Sequence, residues 1–86
     1  STRLKDTYGI GDANWNYGIY YSKTGKMDSS FVHFYRSYDQ FKKLNNNKVS
    51  LGLLLMNMAI IQGHVTDYSG AEISIFKAIS IFKDLK

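Results

Sequence analysis

The residues best suited to chemistry in this 86-residue chain are cations set among aromatic rings. Lys23, Lys26, the run Tyr35-Arg36-Ser37, Lys42 and Lys43 accompany Tyr8, Trp15, Tyr17, Tyr20 and Tyr21. Aromatic faces stack on nucleobases, each contact contributing about 1–3 kcal/mol. An arginine fork holds a phosphate through two parallel hydrogen bonds, and a hydroxyl or backbone N–H at a helix start completes an anion site. The plainer alternative makes Tyr35 and Tyr38 core residues and the lysines a solvated face.

Catalytic groups are sparse. His33 and His64 are the only histidines, and neither stands at metal-ligand spacing from another ligand type. His33 reads as a polar or half-buried position and His64 as a loop or helix-end residue. The acids form no evident pair for proton transfer, and no serine sits in a Gly-x-Ser-x-Gly elbow. Gly9 and Gly11 make a lone Gly-x-Gly with no strand before it, a weak phosphate loop. The expectation is a binding protein with no cofactor, not an enzyme.

Composition bounds the partner. With 11 Lys plus Arg against 7 Asp plus Glu the net charge is +4, and 15% of residues are aromatic. Polymeric nucleic acid is held chiefly through many phosphate contacts, so +4 suits a small ligand with few phosphates better than a polymer. The absence of cysteine excludes disulfides and thiolate metal sites. A chain of this size is one domain, and it buries only about 60–65% of the surface its unfolded form exposes. Self-association is the expected source of further burial.

The elements that must position these residues divide at about residue 29. Residues 1–29 are rich in Gly, Asn, Asp and Tyr, which favour turns, and predict an irregular aromatic arm. Within it Ile19-Tyr20-Tyr21 could form a short strand and Thr24-Gly25 a turn. Residues 30–86 read as helical. Asp28 or Ser29 could cap a helix from about Ser30, and Ser37 or Asp39 one from about Gln40. Asn45-Asn46-Asn47 are weak helix formers, yet Phe41, Leu44, Lys48, Leu51, Leu55, Met58 and Gln62 fit one seam, so residues 30–62 are one helix or two.

Gly63 suits a helix end, and Ser69 with Glu72 makes a capping box for a last helix whose stripe runs toward Lys86. The short connection predicts that these two helices pack antiparallel. Phe41, Phe76 and Phe82 are assigned to helix faces in the core. The apolar run Leu51–Ile61 is shorter than the roughly 20 residues a bilayer span needs, so a buried or oligomer helix is expected and no membrane partner. The first residues carry no apolar export signal.

From Tyr35 onward the chain resembles the phage anti-CBASS cyclic-oligonucleotide sponges. The resemblance is carried by Tyr35-Arg36-Ser37-Tyr38-Asp39-Gln40-Phe41, then Leu51-Gly52, then Ala71-Glu72 through Lys77-Ala78-Ile79-Ser80-Ile81-Phe82-Lys83, over about 50 residues. The family pattern has Leu where Tyr38 stands, Ser or Thr at Asp39 and acids at Gln40-Phe41. Ser37 occupies a place where some members have a phosphate-binding lysine, a role left to Lys26, Lys42 or Arg36.

The resemblance implies a compact homo-oligomer, a hexamer in the family. It implies that cGAMP-like cyclic dinucleotides, and in some members cyclic trinucleotides, are held between protomers and sequestered without cleavage. The location it implies is cytoplasmic, in the host cell if the chain is phage-encoded. Carried onto this sequence, Arg36 and Lys26 contact phosphates, Tyr8 and Tyr21 stack on bases, and Tyr35 and Ser37 complete the site; Tyr20 is an alternative stacking residue. The expected fold class is mainly α: an antiparallel helical pair with an irregular N-terminal arm, assembled as a homo-oligomer. A second expectation is a protein-binding inhibitor or adaptor that docks through its aromatic arm.

Overall fold

In the computed structural model the described residues, 2–44 and 47–85, form four helices and no strand. They are α1 (Thr2–Lys23), α2 (Met27–Lys42), α3 (Lys48–His64) and α4 (Tyr68–Asp84). The mainly α expectation holds, but the irregular arm is replaced by the longest helix of the chain. Its residues are poor helix formers, and packing rather than propensity stabilises it.

Gly11 and Gly18 lie seven residues apart on the face of α1 that meets Ser30 and Ser37 of α2, also seven apart. Ser30 Oγ donates to Gly18 O and Ser37 Oγ to Gly11 O, both at 2.7 Å. A Cβ on Gly18 would come within 2.6 Å of the Phe34 ring, so only glycine permits this approach. Residues that read as turn formers are thus the small surface that brings two backbones together.

Residues 30–62 form two helices. α2 ends at Lys42, where Lys43 N–H bonds Gln40 O and Leu44 N–H bonds Phe41 O, tightening the last turn. The chain then reverses, and Leu54, Met58 and Ile61 of α3 meet Phe34 and Phe41 of α2 in one core cluster. A continuous helix would hold Phe41 and Leu54 about 20 Å apart at 1.5 Å per residue. Asn45 and Asn46, the expected break, and Lys86, placed on the last stripe, lie outside the described residues.

α3 and α4 pack antiparallel as expected, with Gly52 against Phe82 at one end and Gln62 bonded to Ser74 near the other. The cap of α4 is Asp67 rather than Ser69: its Oδ1 accepts from Gly70 N at 3.1 Å, and the helix starts one residue earlier than Ser69. Phe41 is buried and Phe82 half-buried, but Phe76 is exposed. It lies on the side of α4 turned away from α3.

Two hairpins of the same design follow one another at an offset of 41 residues, from Gly11 to Gly52. Phe41 covers Gly11 as Phe82 covers Gly52. The turns match bond for bond: Lys26 N to Tyr21 O and Asp67 N to Gln62 O, Gly25 N to Ser22 O and Thr66 N to Gly63 O. Gly25 and Thr66 both take positive φ, 81° and 64°. The helix contacts run α1 to α2, α2 to α3 and α3 to α4, giving an open slab of 40 × 31 × 14 Å. Helix pairs stacked in tandem are the geometry of an α-solenoid, here two units long.

Candidate functional site

The outer sides of α1 and α3 occupy equivalent places in the two hairpins but differ in composition. On α3, Val49, Leu53, Met56 and Ile60 recur at spacings of four, three and four and are all exposed. The equivalent positions on α1 are Tyr8, Asp12, Trp15 and Ile19. Trp15 turns partly inward, its ring edge-on to Phe41 with centroids 5.9 Å apart. Between the two helices lies a groove of about 240 Å³ lined by Ile19 and Ser22 of α1, Asn57, Ile60 and His64 of α3, and Met27 and Phe34 of α2.

Asn16 of α1 and Asn57 of α3 occupy the same repeat position on this face. Among the described residues neither side-chain amide has a hydrogen-bond partner. A primary amide offers a donor pair and an acceptor, which matches the N–H and C=O of a peptide backbone. No charged residue lies between Val49 and Ile60. The face thus combines an apolar stripe with two free amides.

A second feature is a ring cluster on the α1–α2 side. His33 stacks on Tyr21 with centroids 5.3 Å apart and planes 18° apart, and lies 5.3 Å from Tyr17. Its Nδ1 is 2.9 Å from Asn14 Oδ1, which fits the polar or half-buried position the sequence suggests. His64 is exposed at the end of α3.

The residues picked out for nucleotide binding fall in three places. Tyr8 and Tyr21 are thirteen residues apart on α1, about 20 Å along the axis. Tyr21 lies at the turn with Lys26, whose N–H bonds its carbonyl at 2.9 Å. Tyr35 and Arg36 are both exposed on α2 and, with Phe31 and Val32, line an open cavity of about 360 Å³. Ser37 is fully buried, and its hydroxyl is committed to Gly11 O. One chain therefore joins Tyr21 to Lys26 and Tyr35 to Arg36, and holds Tyr8 apart from Tyr21.

Sequence reasoning assigned the α3 stripe to a buried or oligomer seam and passed over Asn16 and Asn57. A signal was present: Gly-x-x-x-x-Asn-x-x-Ile occurs at Gly11–Ile19 and again at Gly52–Ile60, and Phe-Lys-x-Leu at Phe41 and Phe82. Among the described residues no group of three His, Asp or Glu could hold a metal, and no helix is long and apolar enough to cross a membrane. Compared with known proteins, the chain matches no family model, no curated protein and no solved structure.

Proposed function

We propose that the chain is a protein-recognition module that holds a polypeptide segment along the face shared by α1 and α3. The observation that supports this most is the pairing of Asn16 and Asn57, without hydrogen-bond partners among the described residues, at equivalent positions beside the exposed stripe Val49, Leu53, Met56 and Ile60. Amides bond a backbone without regard to sequence, while an apolar stripe selects side chains. A net charge of +4 favours a segment with acidic flanks. Stacked helix pairs present extended binding surfaces, but the weight lies on these residues rather than on architecture.

The test is selection from a phage-displayed library of random linear peptides, followed by calorimetry with an enriched peptide. Leu53→Asp and Asn57→Ala should each weaken binding by about tenfold, the loss of one buried apolar contact or one hydrogen bond. Failure to enrich any peptide, or affinities indifferent to both substitutions, removes the proposal.

A second reading, sequestration of cyclic di- or trinucleotides without cleavage, is favoured by the Tyr35–Arg36 pair. Both residues line one open cavity, and a ring and a guanidinium are the groups that a base and a phosphate require. Calorimetry with cyclic dinucleotides decides it. Heat lost on Arg36→Ala and Tyr35→Ala supports it, and no heat from the wild-type chain sinks it.

A further inference from the structure

The repeat leaves a different pair of surfaces unused, at the two edges of the slab. The α2–α3 contact joins the first hairpin to the second. On its α2 side lie Met27, Phe31, Phe34, Tyr38, Phe41 and Leu44, and on its α3 side Leu51, Leu54, Met58 and Ile61. Moving 41 residues along the chain carries the α2 set onto Tyr68, Glu72, Ile75, Ile79, Phe82 and Leu85 of α4. Moving back by the same step carries the α3 set onto Ile10, Ala13, Tyr17 and Tyr20 of α1.

Where the inner contact is buried, its counterparts are open. Phe34 is 3% exposed and its counterpart Ile75 38%. Met58 is 5% exposed and its counterpart Tyr17 54%. Tyr68, Ile79 and Leu85 on α4 and Ile10 and Tyr20 on α1 are likewise exposed. The free edge of α4 thus copies the α2 half of an interface, and the free edge of α1 copies the α3 half.

We infer that a second copy of this chain stacks head to tail, its α1 edge on the α4 edge of the first, by repeating the α2–α3 contact. Charge favours this occupant. In the inner contact Phe31 and Asp67 line one cavity between α2 and the α3–α4 turn. Their counterparts are Glu72 and Lys26, both exposed, so the junction between copies places opposite charges where the inner contact has an aromatic ring and an acid. The contact is heterologous, one patch meeting a different patch, and it grows as an open stack rather than closing at two.

Analytical ultracentrifugation tests the arrangement with Ile79→Glu on the α4 edge and Tyr17→Glu on the α1 edge. Both residues are exposed, Tyr17 at the rim of the His33–Tyr21 ring cluster, so far-ultraviolet circular dichroism should show both variants still helical. The wild-type chain should gain mass steadily with concentration. Each variant alone should be monomeric, because a charge set into an apolar junction should raise the dissociation constant by about tenfold or more. Mixed one to one, the variants should form a dimer and nothing larger, since each retains the edge the other lacks. Lys26→Glu should weaken stacking, and added Glu72→Lys should restore it.

A wild-type chain that stays monomeric at the highest concentration it tolerates overturns the inference. So does a mixture that fails to pair while the wild type assembles, which would mean a self-complementary contact or another occupant. Leu53→Asp leaves stacking unchanged, so failure here and failure of the peptide-binding proposal are separable.

Discussion

The Ser37 hydroxyl donates to the Gly11 carbonyl across 2.7 Å, with Ser37 fully buried, and Ser30 repeats the arrangement on Gly18. These two bonds sit seven residues apart on each helix and fix the register of the first hairpin. Removing a hydroxyl here leaves no buried donor unpaired, so the loss is that of one ordinary hydrogen bond. Ser37→Ala and Ser30→Ala should each cost about 1 kcal/mol. The double variant should approach the sum, because the sites share no partner. Urea denaturation followed by circular dichroism measures all three.

Glycines on α1 should respond to alanine with opposite signs. At Gly18 a Cβ meets the Phe34 ring at 2.6 Å, and Phe34 is buried among core side chains, so the ring cannot yield without moving its neighbours. Gly18→Ala should destabilise by about 1–3 kcal/mol. At Gly9 a Cβ meets nothing within 4 Å. There the better helix propensity acts alone, and Gly9→Ala should stabilise by about 0.5–1 kcal/mol. Equal effects at the two positions would contradict the close approach of α1 and α2.

The two turns differ in one residue of consequence. Gly25 adopts φ of 81° freely, whereas Thr66 holds 64° with a β-branched side chain. Its Oγ1 bonds the Val65 carbonyl at 2.6 Å, a local contact that offsets only part of the strain. Thr66→Gly should therefore stabilise by about 1 kcal/mol. The melting temperature should rise by roughly 4–8 °C for a domain of this size. Gly25→Thr should move it the other way.

How far the sequence disclosed this arrangement varies by segment. The α3–α4 pair was legible because apolar periodicity, a short connection and a capping residue all agreed. The cap itself shifted to Asp67, whose Oδ2 also accepts from Gln62 while Gln62 accepts from Ser74, a network between helices that local pattern does not reveal. α1 was illegible for a physical reason. Gly11, Gly18 and Asn14 disfavour a helix in isolation and are useful only once α2 lies against them. At the candidate sites, the adjacency of Tyr35 and Arg36 could be read directly, but the burial of Ser37 depends on how α1 packs on α2 and the matching of Asn16 with Asn57 on the repeat.

Phe41 and Phe82 make the same contact, each covering a glycine of the preceding helix, yet they should not contribute equally. Phe41 is 1% exposed, enclosed by Tyr8 and Trp15 of α1 and by the core residues of α3, while Phe82 remains half-open at the edge of the slab. Phe41→Ala removes a fully buried ring and should cost about 3–5 kcal/mol, a large fraction of the stability available to a chain this small. Phe82→Ala removes a ring that water already reaches and should cost about half as much in dilute solution. Stacking of a second copy on α4 would bury Phe82 as α3 buries Phe41. The penalty at Phe82 should then grow with protein concentration while that at Phe41 stays constant, since association stabilises only the folded form it engages. Thermal melts of both variants across a concentration series measure the difference, and parallel shifts for the two would show that the α4 edge stays uncovered.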